Sequence, residues 1–429
     1  MENLKEIAWE AIACIKEKGA DKGQVFVTES QQQEFNAENG EFTLFRTTFN
    51  QDTNVLVYKN QKKGTYFTNK LTGIEHSVEM AVTASEEGKA DDAYDIPPCQ
   101  GELYGNKGIY EPDRELLFKR TKELMDNIHE EYPQIIIESM VISHWRRHMA
   151  YANTNGTFCE EFIGRYSVSL GVAAHEGEST TSLINTGFWT DRLDTPFIDM
   201  GDVKDMLKIA MGQLKAEPME GKFTGTVVFT PGCLGQFLYY AVGMVNGGTI
   251  LEKTSIWLDK LGKQVADSRI SIKVDPTDEH VVCGETITFD GRKSEGYDWI
   301  KEGELKSFLI DYFVAKKTGY EPAKNGQLNM IVAAGEKSVE EIIKAIDRGI
   351  LVEGFSGGMP GANGEFSGVA KNSFLIEKGQ VTKALTETMI NGNLAEMLMN
   401  LVDISSETVC AGDDVLPYMA FDGIMISGK

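Results

Sequence analysis

The chain has 429 residues, of which 41% are hydrophobic and 25% are charged, so its composition is that of a soluble globular protein and its length predicts two domains. Its 65 acidic and 42 basic residues give a net charge of −23, and a field of that sign repels phosphate backbones and anionic membranes. We therefore expect neither a nucleic acid nor a membrane among its partners.

The first element is predicted to be an amphipathic helix. Apolar side chains recur at helical spacing in residues 1–19, at Leu4, Ile7, Ala8, Ala11, Ile12 and Ile15. Acidic residues interrupt this run, whereas a signal peptide has a basic start and an unbroken apolar core. The six cysteines are scattered and form no CxxC pair, which is typical of free thiols in a reducing compartment. We expect a cytoplasmic protein.

Strand and helix patterns follow in irregular order up to residue 217. Runs of β-branched and aromatic residues predict strands at Gln24–Glu29, Thr53–Tyr58, Gly64–Thr68, Ile135–Ser143, Met149–Asn153 and Tyr166–Ala174. Helices are predicted at 73–87, 112–131 and 202–214, and 100–110 is interpreted as a loop. The polar, turn-rich segment AEPMEGKF, Ala216–Phe223, marks a domain boundary, so the predicted domains are 1–217 and 218–429.

The second half is predicted to be rich in strands. These are expected at Gly225–Phe229, Ile270–Val274, Thr286–Phe289, Leu328–Ala333, Gly349–Glu353 and Val369–Ile376. Helices are expected at Leu234–Val245, Ser338–Arg348 and Leu394–Leu401. Since helices and strands come in groups, the pattern predicts an α+β protein with an N-terminal α/β-layered domain and a C-terminal β-rich domain.

Two segments have the composition of a ligand site but lack its full pattern. His144 and His148 in HWRRH would share one face of a helix, yet their flanks resemble strands and two arginines lie between them, so a solvated hairpin end is favoured over a metal site. The glycine-rich segment Gly354–Gly368 lacks the lysine and hydroxyl residue of a phosphate-binding loop. It is interpreted as a loop whose glycines let another backbone approach.

Three blocks of the second half resemble the TldD/PmbA family, also named modulators of DNA gyrase. They are GTVVFTPGCLGQFLYYAVGM, which begins at Gly225, GEFSGVAKNSFLIEKGQ at Gly364–Gln380 and INGNLAEMLMNLVDIS at Ile390–Ser405. The family's peptidase subunit carries HEAVGH in the first frame. There two histidines and a cysteine near the C-terminus bind zinc, and the glutamate polarises water.

The family's metal-site positions are degenerate in this chain. Tyr239 and Met244 stand where the resemblance places the two histidines, and Tyr240 stands in place of the glutamate. A protonated phenol and a thioether are poor zinc ligands, and no carboxylate base is left in the frame. Cys410 matches the family's C-terminal cysteine and is interpreted as a buried or partly buried free thiol. We therefore expect no cofactor here and zinc only in a catalytic partner subunit.

The resemblance implies a PmbA/TldE-like, non-catalytic subunit that associates with a TldD-type metallopeptidase and acts on unfolded or extended peptides. A stand-alone peptide-binding or scaffold protein and an active metallopeptidase with an unidentified site remain as alternatives, so enzymatic activity is left open. The resemblance also implies a peptide lying beside a strand, for which Gly357, Gly358, Phe366 and Ser367 are the candidate contacts. The chain is expected to be at least a dimer that associates through its second half, with itself or with the TldD-type subunit.

Overall fold

The computed structural model describes residues 3–282, 284–386 and 388–428, and each half of the chain builds its own β-sheet. The helices of the first half are α1 Leu4–Glu17, α2 Ile74–Glu87, α3 Arg114–Glu131 and α4 Val203–Gly212. Its strands are β1 Lys22–Glu38, β2 Glu41–Lys59, β3 Lys62–Thr68, β4 Glu102–Gly108, β5 Ile135–Asn153, β6 Phe158–Glu176, β7 Ser179–Thr180 and β8 Ile184–Thr190.

The first sheet has the strand order β3-β2-β1-β5-β6-β4, and β7 and β8 also pair with β6. Helices α1 and α2 pack on its β1–β2 region, where Val25 and Val55 are fully buried, and α3 and α4 pack on its β5–β6 region over Ile142 and Leu170. Successive strand residues face opposite sides of a sheet, so the other side is available to the second half. There Phe26 stacks on Phe289 with their ring centroids 5.5 Å apart.

The second half consists mainly of strands. They are β9 Glu217–Pro218, β10 Lys222–Phe229, β11 Ile272–Val274, β12 Tyr297–Lys301, β13 Glu304–Leu305, β14 Met330–Val332, β15 Arg348–Gly357, β16 Glu365–Glu377, β17 Gln380–Thr386, β18 Met389–Asn393, β19 Leu401–Cys410 and β20 Val415–Ser427. Its helices are α5 Pro231–Gly243, α6 Gly247–Leu251, α7 Tyr312–Thr318, α8 Val339–Lys344 and α9 Leu394–Met399.

The second sheet has the order β13-β12-β11-β14-β20-β10-β15-β16-β17-β9, and β18 joins β16 to β20. Strands β20, β10, β15, β16 and β18 therefore form a closed circuit. Phe229, Phe237 and Phe421 are fully buried in the large core that this sheet and α5 enclose. The architecture confirms the predicted α+β class. The first sheet ends before the predicted boundary and the second begins at it, with β9 spanning Glu217–Pro218, whereas the domain limits 1–217 and 218–429 stay a prediction.

Strands β1 and β2 are much longer than predicted. Their middle, from 30 to 52, mixes polar residues with irregularly spaced phenylalanines, yet it is paired along its length apart from one bulge, with Gln33 opposite Thr47. The hairpin turns at Asn39 and Gly40, which have φ values of 50° and 75° and suit a tight turn between twisted strands. Pairing of β1 with β5 on its other side explains why a polar sequence is extended here.

Three other predictions were wrong. The expected loop at 100–110 contains β4, which pairs in parallel with β6. The expected strand Thr286–Phe289 forms no strand, because its apolar residues contact the first sheet instead of a neighbouring strand. His144 and His148 lie in the middle of β5, where both side chains are buried, and not at a solvated hairpin end. Their neighbours on either side are strands β1 and β6.

None of the helices within residues 3–282, 284–386 and 388–428 combines the length and the apolar character that crossing a membrane requires.

Candidate functional site

Helix α5 follows β10 at the contact between the two halves. Thr230 caps its first turn by accepting a hydrogen bond from the backbone N–H of Cys233, and Pro231 takes a position where no N–H is needed. An aromatic cluster holds the helix against the hairpin of β15 and β16: Phe229, Phe237, Phe355 and Phe366. The predicted helix is confirmed and begins three residues earlier, at Pro231.

A cleft of about 370 Å³ lies beside α5, between the two halves. Strand β8 and the start of α4 form one side, and α5, β15 and the turn before β20 form the other. The polar side chains that line it are Asn185, Thr186, Asp202, Gln236, Tyr239, Glu353, Asp413 and Asp414. Half of these are carboxyl groups, and histidine is absent from the described residues of the lining.

Two of the carboxyl groups approach the first turn of α5 from opposite halves of the chain. A Cβ atom on Gly232 would lie 3.8 Å from Glu353 Oε1 and 4.0 Å from Asp202 Oδ2. Burial, reinforced by the charge of Asp202, raises the pKa of Glu353 to about 8. Burial also raises the pKa of Asp202, although Asp202 accepts a hydrogen bond from the hydroxyl of Thr186. The pair therefore retains a proton near neutral pH.

The other two carboxyl groups lie in the turn between β19 and β20. Burial raises the pKa of Asp414 to about 7, although its Oδ1 accepts a hydrogen bond of 2.6 Å from the backbone N–H of Met330. Burial also raises the pKa of Asp413. Carboxyl groups that titrate near neutral pH can donate or accept a proton from a bound molecule, so the cleft has the chemistry for proton exchange.

The three positions of the YYAVGM frame have different surroundings. Tyr239 is 45% exposed and lines the cleft, where burial and the charges of Asp414 and Asp413 raise its pKa to about 12. The buried Tyr240 accepts a hydrogen bond of 2.6 Å from Gln236 Nε2. Met244 is buried in the core of the second half. Only Tyr239 is therefore available to a molecule in the cleft.

Cys410 lies beside the cleft and not in it. Its Sγ is 3.5 Å from the carbonyl oxygen of His280, and both residues line an adjoining cavity. Cys410 was predicted to be a buried or partly buried free thiol; it is free but the residue is exposed, and partial desolvation of the sulfur raises its pKa. The other cysteines of the described part are also free thiols: Cys14, Cys99, Cys159 and Cys233. Cys283 lies outside the described residues.

The glycine-rich segment is mostly a β-hairpin, and not the predicted loop. Strand β15 continues to Gly357, which pairs with Gly368 of β16, so only 358–364 connects the strands. The tip lies near the end of α5, because Met359 Cε would be 3.7 Å from a Cβ atom on Gly243. A molecule in the cleft and a molecule at the hairpin tip would therefore meet opposite ends of the same helix.

The four candidate peptide contacts differ in accessibility. Gly357 and Gly358 are exposed, and so is Ser367, whose hydroxyl donates a hydrogen bond to Asn391. Phe366 is buried, and its ring packs on Phe237 with a centroid distance of 5.0 Å. A peptide contact through the Phe366 ring would require that ring to leave the core.

Two sequence profiles of one protein family match this chain, one in each half. The sequence profile described as PmbA/TldA metallopeptidase C-terminal domain matches residues 221–428, and the profile of PmbA/TldA metallopeptidase domain 1 matches residues 23–85. The chain belongs to the PmbA/TldD family.

Some relatives of this chain are named PmbA and others are named TldD. Metalloprotease PmbA of Escherichia coli O157:H7 is 30% identical over 43% of this chain and 42% of its own length, which is less than half of that relative. A PmbA homologue of Haemophilus influenzae is 24% identical over 87% of this chain and 85% of its own. A TldD homologue of Buchnera aphidicola is 27% identical over 53% of this chain and 47% of its own.

The fold is that of solved PmbA/TldD structures. TldE from Thermococcus kodakarensis superposes with a TM-score of 0.87 over 98% of this chain and 100% of that chain. The two sequences are 20% identical, so this likeness establishes the fold alone.

The residues predicted to stand at the metal-motif positions of the PmbA/TldD peptidase do not fit zinc. A zinc ligand must be deprotonated, yet Tyr239 has a raised pKa, and Tyr240 and Met244 are buried away from the cleft. In the described part of the chain, no three residues among His, Cys, Asp and Glu are grouped so that they would hold a metal ion. Sequence reasoning missed the cleft carboxyls, although the lone acid of the apolar run ILVEGF and the pair after Cys410 were visible signals.

We expect the purified, untagged chain to contain well below one zinc per molecule, because neutral phenols and a buried thioether occupy the three motif positions. Elemental analysis after dialysis against a zinc-containing buffer measures this. A Cys410→Ser variant serves as the matched control. Zinc at one per chain that disappears in Cys410→Ser would show that the site is functional after all.

Proposed function

We propose that this chain is a non-catalytic subunit of a TldD/TldE-type metallopeptidase system that acts on unfolded or extended peptides. The observation that carries the proposal is the α5 frame, where Tyr239 alone of the three motif positions lines the cleft. The chain itself would hold no cofactor, and zinc would belong to the partner subunit. The free thiols of the described part agree with a cytoplasmic location.

The proposed partner is a TldD-type chain. Relatives named PmbA and relatives named TldD both align with this sequence, which supports a partner that is related to this chain. In such a pair, one chain can supply the zinc while the other supplies part of the peptide-binding surface. Self-association into a homodimer is the alternative assembly.

The proposed peptide path runs from the cleft along α5 to the hairpin tip. At the cleft, Gln236 and Asn185 offer amide groups that can bind main-chain N–H and C=O groups. At the tip, the end of β15 up to Gly357 pairs with β16, and β10 pairs with β15 only as far as Val352, so an extended peptide can add main-chain hydrogen bonds to the other edge of β15 beside Gly358. The exposed Ser367 can contribute its side chain, since its strand is paired with β18. Both surfaces accept peptides largely independently of sequence, which suits unfolded substrates.

The test is a cleavage assay with a fluorescent unfolded peptide. The chain alone should cleave no faster than buffer, because Tyr239, Tyr240 and Met244 would replace the zinc ligands and the carboxylate base of the motif. Mixed with a relative that carries HExxxH from the same organism, it should raise the cleavage rate of that relative at least about tenfold, and a chelator should abolish the activity.

Two outcomes would contradict the proposal. Chelator-sensitive cleavage by the chain alone would show an active metallopeptidase. No effect on any HExxxH-bearing relative, together with retained peptide binding, would show a stand-alone peptide-binding protein. A Tyr239→Phe variant is a control, since it removes the only motif hydroxyl in the cleft and should leave partner-dependent cleavage largely intact.

A further inference from the structure

Strand β2 has an uncovered edge along much of its length. Strand β1 pairs with one side of it from Glu41 to Tyr58, whereas β3 covers the other side only from Thr53 to Lys59. Within the described part of the chain, no strand pairs with the outer side of residues 41–52, which we call the free edge. At about 3.3 Å per residue, the free edge is about 40 Å long.

The free edge lacks the features that normally protect exposed strands. Natural edge strands carry lysines, prolines or inward-pointing charges that prevent pairing with another chain. The sequence FTLFRTTFNQ at 42–51 contains Arg46 as its one charged residue, and no lysine or proline. Arg46 is already bonded to Glu34 of β1, with its Nη2 2.7 Å from Glu34 Oε1. The backbone of the free edge is therefore open to a further strand.

One face of the free edge presents aromatic side chains. Phe45, Thr47 and Phe49 are every second residue of the strand, so their side chains point to the same side of the sheet. Phe45 is 56% exposed and Phe49 is 70% exposed. Phe45 also contacts Phe118 of α3, with ring centroids 6.2 Å apart, which extends the apolar surface. Exposed apolar groups collected on one surface mark an interaction site.

We propose that the free edge pairs in antiparallel fashion with the free edge of a second copy of this chain, about a two-fold axis through Thr47. An axis at this residue places Phe45 opposite Phe49 of the second copy, and the reverse pair follows from symmetry. Aromatic pairs that face each other across neighbouring strands stabilise a sheet. The two sheets would then continue into one another.

Charge and aromatic pairing together select this register over its two neighbours. An axis at Arg46 would place two arginines opposite each other. An axis at Thr48 would place Phe49 opposite Thr47 of the second copy and lose the aromatic pairs. The axis at Thr47 places Arg46 opposite Thr48 and brings no like charges face to face. In a chain with a net charge of −23, a segment with so few acids lowers the electrostatic repulsion between two copies that meet there.

This inference does not rest on the proposed function, since it concerns the chain without a partner subunit. It places the association surface in the first half, whereas the sequence favoured the second half. Light scattering at micromolar concentration should give the mass of two chains. Phe49→Lys should raise the dissociation constant at least about tenfold and give one chain, because Phe49 is exposed and its loss leaves the fold intact.

The matched control is Phe67→Lys, which changes a phenylalanine of 63% exposure on β3, outside the free edge. It should retain the two-chain mass. A one-chain mass for the unmodified protein would overturn the proposal. A two-chain mass that persists in Phe49→Lys would overturn it as well.

A cross-linking variant tests the register without charge changes. In the proposed pair, Thr47 faces itself across the axis, and directly opposed residues of antiparallel strands have Cα atoms about 4.5–5.5 Å apart, within disulfide range. Thr47→Cys should therefore form a covalent two-chain species under mild oxidation. Gln51→Cys on the same edge, and the unmodified chain with its own thiols, should not. Equal cross-linking at both positions would overturn the register.

Discussion

Replacing Glu353 by glutamine is expected to make the protein markedly less sensitive to alkaline pH. Burial raises the pKa of Glu353 to about 8 in the folded chain, whereas an unfolded glutamate titrates near 4.5. The folded state therefore holds the proton more tightly, and the free energy of unfolding falls as pH rises from about 4.5 to about 8. One such group contributes a slope of about 1.4 kcal/mol per pH unit, so the total effect reaches several kcal/mol.

Denaturant unfolding at pH 5, 6, 7 and 8 measures this slope for both proteins. The two should have similar stability at pH 5, and Glu353→Gln should be the more stable at pH 8. Some slope should remain in the variant, because burial also raises the pKa of Asp202 and of Asp414. Glu365→Gln, at an exposed position of β16, is the control and should follow the unmodified chain. Parallel curves for Glu353→Gln and the unmodified chain would refute the expectation.

Gly357→Val is expected to destabilise the fold, whereas Gly358→Val is expected to leave its stability almost unchanged, although the two residues are adjacent. A Cβ atom on Gly357 would lie 2.5 Å from Phe355 Cζ and 2.7 Å from the carbonyl oxygen of Ser367, so the ring and the hairpin must move. We expect Gly357→Val to cost about 1–3 kcal/mol of stability. No atom lies within 4 Å of a Cβ on Gly358, so Gly358→Val should change stability by less than about 0.5 kcal/mol.

The loss of peptide binding should be the direct effect in Gly358→Val, whereas in Gly357→Val any such loss would accompany the loss of stability. Gly358→Val adds bulk to an exposed backbone at the proposed peptide path, so it should lower peptide affinity and partner-dependent cleavage without unfolding the chain. Thermal unfolding and peptide-binding assays on both variants separate the effects. Gly358→Ala is the conservative control, with a smaller loss expected. If Gly358→Val binds and supports cleavage normally, the peptide path does not cross the hairpin tip.

Periodic segments with clear end signals were predictable from the sequence. Helix α3 was expected because apolar residues recur at helical spacing, and Asp113 caps it by accepting from the backbone N–H of Leu116. Helix α5 and its motif were equally visible. Local propensity and burial agree in such segments, so short-range information suffices.

Segments whose structure depends on distant partners were not predictable. The middle of β1 and β2 is extended because β1 lies between β2 and β5, and no local pattern encodes that position. His144 and His148 looked solvated, yet neighbouring strands bury them on both sides. Pairing with a strand far along the chain overrides local preference in such cases.

Some features of the candidate site were also predictable from the sequence, and others depended on the tertiary structure. The sequence by itself determined the family. It also predicts that Tyr239, Tyr240 and Met244 replace the family's metal ligands and base, because the chemistry of these side chains does not depend on the fold. Only the tertiary structure decided that Tyr239 alone lines the cleft, and that Asp202 and Glu353, far apart in sequence, approach the same turn of α5. Burial and mutual distance set the pKa of a carboxyl group, and both quantities exist only once the two halves are in contact.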